Sequence, residues 1–146
     1  MEGVFFMLSE DRCERLMNAL VELGVSYLKE DGYFFPFGVV LKCDGVVDVV
    51  EGYVGDDFPD PGVLLSGVRE DCGRLVAGGG ILGCGVAWDV SVGVDVGGDD
   101  FSDGIMMNIE DIDGYCVRFV LPYSLGLFGR VRVGALVRRE GECFVF

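Results

Sequence analysis

Between Ile81 and Val94 the chain alternates with a period of two. Leu82, Cys84, Val86, Trp88, Val90, Val92 and Val94 fall on one side, and Gly83, Gly85, Ala87, Asp89, Ser91 and Gly93 on the other. Successive side chains of a strand point to opposite faces, so this pattern specifies an extended segment with an apolar ridge and a small, smooth reverse. A helix would scatter those glycines around its axis and lose stability at each one. The ridge carries the only tryptophan of the chain. The segment is therefore expected at the centre of the fold, its Trp88 side pressed beneath helices and its Asp89 side open to water.

The remaining 132 or so positions bound what can surround that strand. A chain of 146 residues, 51% hydrophobic, is long enough to bury one core and too short for two, so residues 1–146 are expected to form a single domain. No run approaches the roughly 20 apolar residues that span a bilayer. Met1-Glu2-Gly3 lacks the basic start of a secretion signal, which points to a cytoplasmic location. Cys13, Cys43, Cys72, Cys84, Cys116 and Cys143 are evenly spread, with no CxxC and no histidine in the chain. Spacing of that kind predicts buried thiols in a reducing compartment rather than a zinc site or a disulfide scaffold. Eleven basic residues against 25 acidic ones give a net charge of −14. That sign opposes binding to nucleic acid and to anionic membranes, and favours a basic partner.

Taken in order, Ser9-Glu10-Asp11 reads as a helix start with acids in its first turn, where they meet the positive end of the helix. Cys13, Leu16, Met17, Leu20, Leu23, Gly24, Tyr27 and Leu28 follow at helical spacing as far as Asp31-Gly32, a helix stop. Tyr33 to Cys43 and Val46 to Val54 flank Asp44-Gly45, a two-residue hairpin signal. Asp60-Pro61 opens a second helix with Leu64, Leu65, Val68, Cys72, Leu75 and Val76 on its buried face, closed by Gly78-Gly79-Gly80. After the central strand comes a polar loop, 95–104, and a second hairpin around Asp113-Gly114. If that turn has two residues, Glu110 faces Val117 and Asn108 faces Phe119. Residues 130–138 form one strand and Cys143 to Phe146 a short last one. The fold class is thus α+β in the order α-β-β-α-β-β-β-β-β, with two helices packed on one face of a twisted, mainly antiparallel sheet.

That element order is similar to the cone-shaped α+β architecture of nuclear-transport-factor-2-like and cystatin-like proteins, which hosts enzymes, binders and inert modules alike. A second resemblance lies in Gly32-Tyr33-Phe34-Phe35-Pro36-Phe37-Gly38, Asp103-Gly104-Ile105 and Leu121-Pro122-Tyr123. These segments resemble those of small uncharacterised bacterial proteins for which no activity is established, so the resemblance implies no catalytic residue.

The chemistry-bearing residue types narrow the function further. Without histidine, Ser-His and Cys-His catalysis is excluded. Glu110 and Asp111 are neighbours on one strand, so they point to opposite faces and cannot act on one substrate. The loop holding Asp95, Asp99, Asp100 and Asp103 lacks the order of a calcium loop, and neither a metal nor a cofactor is assigned. What remains is a non-enzymatic acidic interaction module that docks a basic protein through Asp56, Asp57, Asp95, Asp99, Asp100 and Asp103. An immunity-type protein of bacteria, covering a toxin's cationic site, is its concrete form. The alternative is a small-molecule-binding pocket protein, enzymatic or not, lined by Tyr33, Phe35, Phe37, Trp88 and Tyr123. Nothing in the sequence decides the oligomeric state.

Overall fold

In the computed structural model, which describes residues 9–51 and 60–146, helix α1 (Ser9–Asp31) precedes a hairpin of β1 (Phe37–Lys42) and β2 (Val47–Glu51). Helix α2 (Pro61–Ala77) leads to the long strand β3 (Ile81–Ser91). A single helical turn, α3 (Val94–Gly97), connects it to β4 (Asp103–Asp111), which returns as β5 (Cys116–Leu125). Two short strands, β6 (Val131–Val133) and β7 (Val137–Glu140), follow. All pairs are antiparallel in one sheet of order β2-β1-β3-β4-β5-β6, and β7 lies beside β6 along the same edge of β5. The α+β class, the antiparallel sheet and the strand count agree with the expected order.

Local signals account for both helix boundaries. Asp60 caps α2, its carboxylate accepting the Gly62 N–H at 2.7 Å, and Pro61 opens the helix where a missing N–H costs nothing. Gly79 and Gly80 adopt φ of 84° and 80°, which ends the helix and aims the chain into β3. α1 stops where Gly32, at φ 77°, donates back to the Leu28 carbonyl.

The helices, however, sit on opposite faces of the sheet, which corrects the expectation of one covered face. A side chain at Gly83 or Gly85 would meet Leu16 Cδ1 or Leu20 Cδ1 at 2.8 Å, so α1 rests directly on the glycine side of β3. Glycine leaves no side chain to hold the helix away, and Leu16 and Leu20 are fully buried against it. Each such leucine contributes roughly 1.5–3 kcal/mol by burial. The ridge side belongs to α2, whose Val68 and Cys72 pack on Val40, Cys84 and Val86. Two cores result, one under each helix. A sheet covered on both sides is not a cone holding its helices within one curve.

Both Asp-Gly hairpins are longer than two residues. Lys42 pairs with Val46 and Asp111 with Tyr115, leaving three-residue loops whose last members, Gly45 and Gly114, lie at φ 86° and 83°. A type I′ turn would need positive φ at the aspartates as well; a type I turn closed by a left-handed glycine needs it only at the third position. The second hairpin is consequently shifted by one residue: Glu110 faces Cys116 and Asn108 faces Arg118. β3 ends at Ser91, so Val92 and Val94 leave the ridge, and Val94 is exposed. Residues 130–138 break into β6 and β7, which places Arg132 and Arg138 on opposite faces. Cys143 to Phe146 form no strand.

The cysteine expectation is corrected too. Cys13, Cys72 and Cys84 are buried thiols, Cys43 is exposed, and Cys116 and Cys143 form a disulfide with Cα atoms 5.9 Å apart. That spacing is ordinary for a disulfide. Among the described residues no helix is long and apolar enough to cross a membrane.

Candidate interaction surface

One end of the sheet carries a group of acidic side chains. β3 finishes there and β4 begins there, with Ser91 opposite Asp103 and Asp103 opposite Tyr123. The loop between those strands carries Asp95, Asp99 and Asp100, all exposed, as is Asp103. Asp95 lies 3.6 Å from Arg139, an exposed pair that contributes little to stability. Among the described residues Asp99, Asp100 and Asp103 make no ion pair. Asp56 and Asp57 lie outside the described residues. The loop is anchored rather than free: Val92 donates to the Ser102 carbonyl, and Phe101 packs where a side chain at Gly134 would stand.

Asp89 joins this end from the α1 side of β3. Its carboxylate accepts the Tyr123 hydroxyl at 2.8 Å. Partial burial pushes its pKa above the usual carboxylate range, and the Asp103 charge adds to the rise against the opposing Tyr123 hydrogen bond. Tyr123 is itself held protonated far into the alkaline range by burial and by the adjacent carboxylates. Asp89 is exposed although Gly83, Gly85 and Ala87 of the same face are buried, because α1 covers only part of β3. The side chain is at the wet end of a largely dry face.

The aromatic residues expected to line one pocket are not brought together. Phe37 is buried in the α1 core, where Tyr27 and Phe34 meet its ring edge-on at 5.3 and 5.9 Å. Tyr33 and Phe35 meet edge-to-face at the surface. Trp88 lies on the opposite side of β3, and Tyr123 is committed to Asp89. An open depression of about 550 Å³ lies instead along α2, lined by Asp60, Gly62, Val63, Ser66, Gly67 and Glu70. It contains none of the five.

Two constellations escaped the sequence reading. Arg69 of α2 and Arg118 of β5 place their guanidinium carbons 5.4 and 5.3 Å from the Trp88 ring centre, and Arg69 also lies 4.1 Å from the Phe144 ring. Beside them the buried side chains of Asn108 and Glu110 hold the backbone of residues 142–146. Lone cations spread over α2 and β5 carry no spacing signal, and the one-residue hairpin shift conceals which β4 side chains face them. Glu110 and Asp111 do part company as alternation requires: Asp111 turns to the α1 side and meets Arg12. Among the described residues no group of three or more metal-ligating side chains is assembled.

Comparison with known proteins finds no family model, no curated protein and no solved structure that matches the chain.

Proposed function

We propose that the protein is a non-enzymatic interaction module whose acidic end docks a basic protein partner. The observation that carries this reading is the exposure of Asp95, Asp99, Asp100 and Asp103 within nine residues at the end of the sheet, where among the described residues only Asp95 has a cation beside it. Carboxylates grouped in this way focus a negative potential, which speeds encounter with a cationic surface and excludes anionic ones. A cytoplasmic immunity-type protein covering the basic active site of a bacterial toxin is the specific form proposed. The dispersal of Tyr33, Phe35, Phe37, Trp88 and Tyr123 gives the pocket-protein alternative no comparable support.

The test is crosslinking in source cells followed by association kinetics with the purified partner. A cationic partner is expected, with an on-rate that falls at least tenfold between about 50 and 300 mM salt. Replacing Asp95, Asp99, Asp100 and Asp103 together by Asn should remove most of that salt dependence. A partner of acidic surface, or binding indifferent to both salt and the four substitutions, would overturn the reading.

A further inference from the structure

The segment Gly141–Phe146 crosses the α2 side of the sheet without joining it as a strand. Side chains, not a neighbouring strand, satisfy its backbone. Asn108 Nδ2 donates to the Glu142 carbonyl at 2.8 Å while its Oδ1 accepts the Glu142 N–H at 3.2 Å. The Glu110 carboxylate accepts three successive N–H groups, from Phe144 at 2.9 Å, Val145 at 2.9 Å and Phe146 at 3.0 Å. Both gripping residues are 3% exposed. A buried carboxylate is costly unless several donors converge on it, and a segment needing mere cover is held more cheaply by apolar contacts. The slot is therefore built to recognise a main chain that bends so that successive N–H groups turn to one side, since an extended chain would point them alternately to opposite sides. Side-chain preference comes from two places only: Arg69 stacks on Phe144, and Val145 packs into the α2 core.

The Cys116–Cys143 disulfide fastens this segment to β5. Cys143 is exposed and Cys116 half-buried, so an external thiolate has access to the bond. We propose that Gly141–Phe146 is a disulfide-latched strap, and that reducing the latch opens the Asn108–Glu110 slot to a partner segment that takes up the same bend and presents an aromatic residue followed by an aliphatic one. The reductant is a dithiol. Its thiolate attacks one sulfur and releases the other cysteine as a thiolate; its second thiol then displaces the attacked cysteine from the mixed disulfide, and the dithiol closes to its own disulfide. The two electrons and two protons end on Cys116 and Cys143. The strap's own Phe144-Val145 pair defines the chemistry the slot accepts, since those are the side chains that it holds. This inference is independent of the acidic end.

Hydrogen exchange on the full chain reads the first half of the proposal. Dithiothreitol should speed exchange of the Phe144, Val145 and Phe146 amides by roughly 30-fold or more, the order expected for a lost disulfide constraint, while β3 amides stay protected. The second half is read by fluorescence anisotropy with a labelled Gly-Glu-Ser-Phe-Val-Phe peptide. It should bind the reduced chain and the Cys143→Ser chain, and not the oxidised chain. Glu110→Gln should weaken that binding more than tenfold with far-UV dichroism unchanged. Exchange indifferent to reduction overturns the latch. A strap that opens without binding the peptide at about 1 mM, or a reduced chain that pairs with a second copy and ignores the peptide, overturns the slot.

Discussion

Gly85 shows how much of this fold depends on a missing side chain. Strand propensity alone favours valine there, yet a Cβ would stand 2.8 Å from Leu20 Cδ1 and 3.5 Å from Ile109 Cγ1, both in fully packed surroundings. Gly85→Val is expected to destabilise the protein by roughly 1–3 kcal/mol through overpacking, read as a lower urea midpoint at unchanged slope. At Asp89 the governing effect is protonation. A carboxyl whose pKa rises on folding keeps a proton that the unfolded chain has released. Stability therefore falls as pH climbs from the ordinary aspartate value of about 4 through the raised one, and the penalty is complete above it. Asp89→Asn retains an acceptor for the Tyr123 hydroxyl and abolishes the titration. Its melting temperature should exceed the parent's at pH 7, with the gap closing by about pH 3. A gap independent of pH would show that Asp89 acts through packing instead.

Among the elements, α1 is tied to the β4–β5 turn by the buried pair of Arg12 and Asp111, with the exposed Asp113 as a third member. Arg12, 6% exposed, lies 3.4 Å from Asp111 and 2.6 Å from Asp113, and Asp111 also accepts the N–H groups of Asp113 and Tyr115 within the turn. Removing the guanidinium strands a buried carboxylate, so Arg12→Ala should cost about 3 kcal/mol in urea unfolding. Arg74→Ala, which breaks the exposed pair with Asp71, should cost under about 1 kcal/mol. Equal losses would mean that burial does not set the value of these pairs. The same turn marks where sequence reasoning stopped. Helix ends were legible because Asp60-Pro61 supplies a capping carboxylate and a preset helical φ, and Gly78-Gly79-Gly80 permits the positive φ that stops a helix. Asp113-Gly114 is compatible with two loop lengths, and the choice depends on the aspartate's own φ, which no pattern encodes. That single residue decides that Glu110 and Asn108 face Cys116 and Arg118. The strap slot was hidden for that reason, and because 27 residues separate Cys116 from Cys143. Placement of α1 was hidden by a different ambiguity: a smooth glycine face is equally consistent with water and with an unusually close helix.

Across the whole molecule the dominant property is unbalanced charge, and there function and stability oppose each other. Twenty-five acidic residues against eleven basic ones repel in the compact state. The described ion pairs neutralise few of them, and Lys42–Asp48 and Arg139–Asp95 are both solvent-exposed. Screening should then stabilise the fold. Raising salt from about 10 to 300 mM shortens the screening length from about 30 Å to under 8 Å and is expected to add on the order of 1 kcal/mol to unfolding free energy. Surface ion pairs alone would give the opposite sign, so the slope of stability against salt distinguishes the two. Replacing Asp95, Asp99, Asp100 and Asp103 by Asn should raise low-salt stability and flatten that slope, because these acids crowd within nine residues. If the acidic end is the docking surface, the substitutions that strengthen the fold are the ones that slow association. Urea unfolding and association kinetics measured on the same four-residue variant place both effects on one molecule. A variant that gains stability and keeps its partner's salt-dependent on-rate would show that these aspartates serve solubility alone.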